Sequence, residues 1–163
     1  MRKRYLLTAL LLIAFLVTVI PAQAKLPKAP KAGWNVEEGM PDLGKLNFEE
    51  TPTGLLYAEL RGGEMMMQPP QGSKVTVHYS GYLLDGRKFD SSYDRGRPIE
   101  FTLGIGQVIA GWDEALARME KGAKWVIAIP PELGYGRRGQ PRANPPIKPN
   151  AWLVFVVELV DFK

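Results

Sequence analysis

Two of the residue types most used in covalent and metal chemistry are scarce in this 163-residue chain, which has no cysteine and one histidine. The absence of cysteine removes a thiol nucleophile, a disulfide framework and any thiolate metal site. The single histidine, His78, cannot build a zinc site from several imidazoles, so only a carboxylate-type metal site stays conceivable. Combined with Ser91 or Ser92 and Asp90, His78 supplies the residue types of a serine hydrolase. A nucleophile needs its base within hydrogen-bond reach, however, and no nucleophile-elbow motif surrounds either serine. Alternation along the segment also turns His78 away from Tyr79, so His78 reads as a solvated strand residue. Gly104-x-Gly106 before a helix pattern resembles the start of a phosphate loop. The next glycine, Gly111, is at the wrong spacing and no parallel βαβ unit surrounds it.

The residues left over are suited to binding without bond-breaking. Tyr79, Phe89, Val108, Ile109, Trp112, Tyr135 and Phe155 come from separate segments, with Asp90 beside Phe89. Brought together, they make an apolar pocket with hydroxyls and one carboxylate at its edge.

The elements that must position them can be read from periodicity. Within Phe101–Met119, Ile109, Trp112, Leu116 and Met119 recur at helical spacing, and Gly122 closes the pattern. A helix of about three turns is unstable alone in water, so it must lie on a broad apolar surface. Strands are expected at Leu55–Leu60, Lys74–Leu84, Lys88–Asp90, Ile99–Leu103, Trp125–Ile129 and Trp152–Val160. The clearest alternates Val75, Val77 and Tyr79 with Thr76, His78 and Ser80. Asp85-Gly86 is a turn signal, and Gly134–Pro149 is a long loop rich in proline, glycine and arginine. Met65-Met66-Met67, between two loop stretches, is expected to cover a core edge. Several strands with one short helix indicate an α+β fold: an antiparallel sheet with one face covered by that helix.

The N-terminus differs in character. Arg2-Lys3-Arg4, an uncharged run from Tyr5 to Ile20, and Ala22-Gln23-Ala24 form the pattern of a secretory signal peptide cleaved after Ala24. The run is short for a membrane span of about 20 residues, which favours cleavage over an anchor. The product would be exported, to a periplasm or beyond, with no stable membrane insertion. Residues 25–52, with Pro27, Pro30 and several lysines, read as an extended tether in which Trp34 is the odd member. The folded domain is expected over 53–163. The net charge of +4 owes much to Arg2, Lys3 and Arg4, so the remainder is nearly neutral and gives no support to nucleic-acid binding.

The stretches VTVHYSGYLLDGRKFDSS, FTLGIGQVIAGWDEAL, PPELGYG and LVFVVELVD resemble, in order and spacing, the FKBP-type peptidyl-prolyl isomerases, the immunophilins that bind tacrolimus and rapamycin. The resemblance covers about Thr53 to Lys163. It implies a curved antiparallel sheet wrapped around the short helix, with the pocket between them. It implies catalysis at Tyr79, Asp90 and Tyr135. Substrate binding is implied at Phe89, Arg95, Ile99, Val108, Ile109, Trp112, Ile147 and Phe155, with Trp112 as the floor and Arg95 near the aspartate. Ile99 stands where some members carry phenylalanine, and the loop RRGQPRANPPIKPN is about three residues longer than in short members. Ile147 is the match for an apolar residue on the pocket rim.

The function so implied is cis–trans isomerisation of X-Pro bonds in exported, folding polypeptides by a monomer that needs no cofactor or metal and is open to macrolide inhibitors. The alternative is a peptide-binding or chaperone module without catalysis on the same fold. The loop from Arg137 to Asn150 carries Arg137, Arg138, Arg142 and Lys148 without an acid; it is expected either to tune client choice toward acidic peptides or to be a solvated surface connection.

Overall fold

A computed structural model describes residues 40–64 and 66–163. The signal segment, Trp34, Met65 and the tether up to residue 39 lie outside the described residues.

The chain forms β1 (Glu49–Glu50), β2 (Leu56–Arg61), β3 (Lys74–Leu83), β4 (Lys88–Ser91), β5 (Ile99–Thr102), α1 (Ala110–Leu116), β6 (Lys124–Ile129) and β7 (Leu153–Phe162). These strands make one seven-stranded sheet in the order β1-β2-β6-β7-β3-β4, with β5 also pairing β3. All pairings are antiparallel. Among the described residues the fold is thus the expected open antiparallel sheet with a single short helix.

Side-chain alternation divides the core in two. Val75, Val77, Tyr79, Trp125, Ile127, Phe155 and Val157 face α1, where Trp112, Leu116 and Met119 meet them. The helix has two turns rather than the expected three; Arg118 and Met119 continue it only as tight turn bonds to Ala115 and Leu116. Gly111 lets it lie close to the sheet, because a Cβ there would fall 2.7 Å from Ile129 Cγ2.

The opposite face is covered as well, which corrects two expectations. Leu56, Ala58, Val126, Ala128, Val154 and Val156 form a second core with Met40, Leu43 and Phe48. The segment before residue 53 is therefore no tether where it is described. Asp42 accepts a hydrogen bond from Gly44 N–H at the 3-10 turn Leu43–Lys45, and β1 pairs with β2. A strand buried on both faces reads as a continuous apolar run. Residues 125–129 and 153–157 are such runs, buried without interruption.

Met66 does not cover a core edge. It is exposed with φ of 61°, and its N–H is held by Glu120 Oε1 at 3.1 Å. Among the described residues no helix is long and apolar enough to cross a membrane.

Candidate functional site

A cleft of about 350 Å³ opens between α1 and the sheet. β3 contributes Tyr79, β4 contributes Phe89 and Asp90, β5 contributes Ile99, and β7 contributes Phe155. The turn before the helix brings Gly106, Gln107 and Val108. Ile109 caps α1, Trp112 follows in its first turn, and Tyr135 comes from the loop after β6.

Trp112 forms the floor and is 4 % exposed. It meets Tyr79 edge-on at 4.8 Å between centroids and Phe155 at 5.3 Å, with interplanar angles of 84° and 87°. Phe89 meets Phe155 edge-on at 5.5 Å. Each contact sets the positive edge of one ring against the π face of its neighbour. Trp112 Nε1 is buried without a hydrogen-bond partner among the described residues.

One wall is polar. The Tyr79 hydroxyl donates to Asp90 Oδ2 at 2.5 Å and accepts from Arg95 Nη2 at 2.7 Å. Arg95 Nη1 pairs with Asp90 Oδ1, so both carboxylate oxygens are engaged. Burial, reinforced by the bond to Asp90, pushes the Tyr79 phenol up to about 12. Burial and the negative charge of Asp90 raise Tyr135 as well, and the bond to Asp90 raises Arg95. Both phenols are neutral at physiological pH, so they serve as hydrogen-bond donors, not as bases. Among the described residues the Tyr135 hydroxyl and the Ile109 N–H have no internal partner, leaving two donors for a ligand carbonyl.

Ten of the eleven expected site residues belong to the cleft or its polar wall. Arg95 lies behind the wall, holding Asp90 and Tyr79, and does not line the cleft. The exception is Ile147, which does not line this cleft: it is 2 % exposed and packs into the core, and what surface it keeps faces a depression beside the cleft. Its backbone N–H and C=O bridge to Gln140, which folds the long loop back and turns the side chain inward.

His78 is not simply solvated. It stacks on Tyr93 at 4.5 Å, and Nδ1 lies 2.9 Å from Ser92 Oγ. That pair is no nucleophile and base. Ser92 is fully buried, and its Oγ accepts the Tyr79 N–H at 2.8 Å. Asp90 is turned to the other face by Tyr79 and Arg95.

Two positioning residues escaped the sequence reading. Gly81 lies opposite both Asp90 and Phe155 in the ladders, and a Cβ on it would come within 2.7 Å of Phe155 Cε1 and 2.9 Å of Phe89 Cζ. Asp113 accepts from Gly104 N–H at 2.8 Å and Gly106 N–H at 3.2 Å. It pins the turn in which both glycines take positive φ, 79° and 73°. A Gly-x-Gly followed by an acid in the next helix was the available signal for that turn.

Comparison with known proteins identifies the family. Residues 66–160 match the family model described as FKBP-type peptidyl-prolyl cis-trans isomerase. The chain is 55% identical over 95 residues to FK506-binding protein 1 of Dictyostelium discoideum, covering 58% of this chain and 86% of that protein. It is 45% identical over 107 residues to the peptidyl-prolyl cis-trans isomerase Fkbp12 of Drosophila melanogaster, covering 66% and 96%. The crystal structure of AtFKBP13 superposes with a TM-score of 0.66 at 35% identity, covering 71% of this chain and 98% of that one.

Proposed function

This chain belongs to the FKBP-type peptidyl-prolyl cis-trans isomerase family, and from that premise we propose that it accelerates cis–trans exchange of X-Pro bonds in exported, folding polypeptides. The observation that carries the reading is the aromatic cleft floored by Trp112, with two unengaged donors, Tyr135 O–H and Ile109 N–H, at its margin.

Rotation about an amide C–N bond faces a barrier of about 18–20 kcal/mol because resonance is lost on twisting. For X-Pro both isomers are populated, but exchange takes tens to hundreds of seconds. The twisted amide is less dipolar than the planar one. An aromatic cleft therefore disfavours the planar ground state more than the twisted state, which is differential binding of the transition state. The two donors orient the peptide through its carbonyls while the prolyl ring fills the space over Trp112. The Tyr79–Asp90–Arg95 group fixes the polar wall. No bond to carbon breaks, so the step uses neither nucleophile nor proton transfer.

Affinity follows from the same parts. Burying about three prolyl methylenes at ~0.8 kcal/mol each stabilises the complex by roughly 2–3 kcal/mol. Two hydrogen bonds add about 1 kcal/mol each. The total corresponds to roughly millimolar binding before association costs, which suits brief contact with many chains.

The test is an X-Pro exchange assay on the purified chain, with and without a tacrolimus-class macrolide. Acceleration abolished by the macrolide supports the reading. A folded protein that leaves the thermal rate unchanged but still binds Pro peptides is instead a peptide-binding module. Export rests on the signal pattern at residues 1–24, and the mature chain should begin at Lys25. A membrane-bound product retaining Met1 or Arg2 would make the segment an anchor.

A further inference from the structure

Beside the aromatic cleft lies a second depression of about 410 Å³, which shares Phe89, Asp90 and Tyr135 with it. Its far wall comes from the long loop: Gln140, Arg142, Ala143 and the buried Ile147. An extended peptide advances roughly 3.3–3.6 Å per residue. A chain crossing the shared wall from a proline seated over Trp112 therefore brings a residue one or two places away into this depression.

The charges there are unbalanced in a defined way. Asp90 is ion-paired with Arg95, and each of its oxygens has a partner. Arg142 is exposed and has no side-chain hydrogen bond or ion pair among the described residues, and the Gln140 amide is likewise unengaged. The net demand of the depression is for a carboxylate. The other loop cations are placed differently. Lys148 lines a separate groove with Leu83, Pro146 and Trp152, and Arg137 and Arg138 line neither cavity.

We propose that this depression is a specificity subsite in which Arg142, assisted by the Gln140 amide, selects an acidic side chain within two residues of the isomerised proline. The inference rests on the isomerase reading and names the client class it serves. Arg142 is a specificity residue, and the chemical step stays with the aromatic cleft.

The experiment uses the full chain and matched X-Pro peptides carrying Glu, Gln or Lys one or two positions from the proline on either side. Both kcat/KM for exchange and binding affinity by titration are measured at low and high salt. At one position at least, the Glu peptide should exceed its Gln counterpart by about two- to fivefold, the scale of an exposed ion pair, with Lys lowest. The preference should shrink at high salt, where the screening length falls to about 3 Å at 1 M. It should vanish in Arg142→Gln and reverse in Arg142→Glu, while Arg138→Gln keeps it. Equal values for the three peptides, or a preference untouched by both Arg142 variants, overturns the subsite. Absence of exchange with every peptide, together with Glu-selective binding lost in Arg142→Gln, removes the isomerase reading and keeps the subsite.

Discussion

The Tyr79 hydroxyl sits 2.5 Å from Asp90 Oδ2 while Arg95 holds both partners from behind. A residue in the middle of β3 is thereby tied to β4 and to the loop that follows. Each Asp90 carboxylate oxygen is held by one donor, which fixes the side chain as a polar wall of the cleft. The arrangement makes this group a positioning device for the cleft, and its members should respond unequally to substitution.

Tyr79→Phe removes one hydroxyl and should cost about 1 kcal/mol of stability. Asp90→Val removes the acceptor of the Tyr79 hydroxyl and the carboxylate partner of Arg95, leaving only the bond between those two, and should cost about 1–3 kcal/mol. X-Pro acceleration should fall more in Asp90→Val than in Tyr79→Phe. Chemical denaturation alongside the exchange assay checks the order, and equal activity in both variants would deny the wall any role.

The raised phenol of Tyr79 sets a direction for alkaline stability. Its folded value of about 12 lies above the ordinary 10.0. The folded state therefore holds this proton more tightly than the unfolded chain does. The contribution is complete below pH 10 and is lost as pH rises toward 12. Denaturation midpoints collected across that window should fall less steeply in Tyr79→Phe than in the parent. Some slope should remain, since Tyr57, Tyr93 and Tyr135 are also raised.

Gly81→Ala should damage the cleft without touching any polar group in it. The new methyl must displace Phe155 and Phe89, and overpacking of this kind costs about 1–3 kcal/mol. Loss of exchange activity larger than in Tyr79→Phe is expected. A variant with parental stability and activity would mean that the two rings shift freely.

Leu43→Ala tests whether the segment before residue 53 belongs to the folded unit. Leu43 is 2 % exposed in the second core, so truncation should cost about 2–5 kcal/mol in urea unfolding. A tether residue would cost less than about 0.5 kcal/mol.

His78→Ala should retain X-Pro acceleration within about twofold, because the step involves no proton transfer and His78 points away from the cleft. Removing its stack on Tyr93 and its bond to Ser92 should lower stability by about 1 kcal/mol. A folded His78→Ala protein with no activity would contradict the mechanism.

Much of the fold was legible because local pattern and burial coincide. Alternation along Val75–Tyr79, the Asp85-Gly86 turn and the stripe Trp112–Leu116–Met119 each report one buried face, and the packing respects all three. The second buried face was legible only in part. Val126, Ala128, Val154 and Val156 are apolar where a solvated face would be polar, but their cover comes from Met40, Leu43 and Phe48, far away in sequence and set among charged and proline residues.

The sequence by itself determined most element types, the aromatic set and the lack of any thiol, because these depend on residue identity and short spacings. Only the tertiary structure decided how those residues meet. The bond of Asp90 to Tyr79, the vacancy that Gly81 leaves for Phe155, and the inward turn of Ile147 all join strands or loops distant along the chain. The same holds for the four loop cations, which are equivalent in composition. Ladder register and loop path set Arg142 beside the cleft and Lys148 in another groove, and no local periodicity encodes that separation.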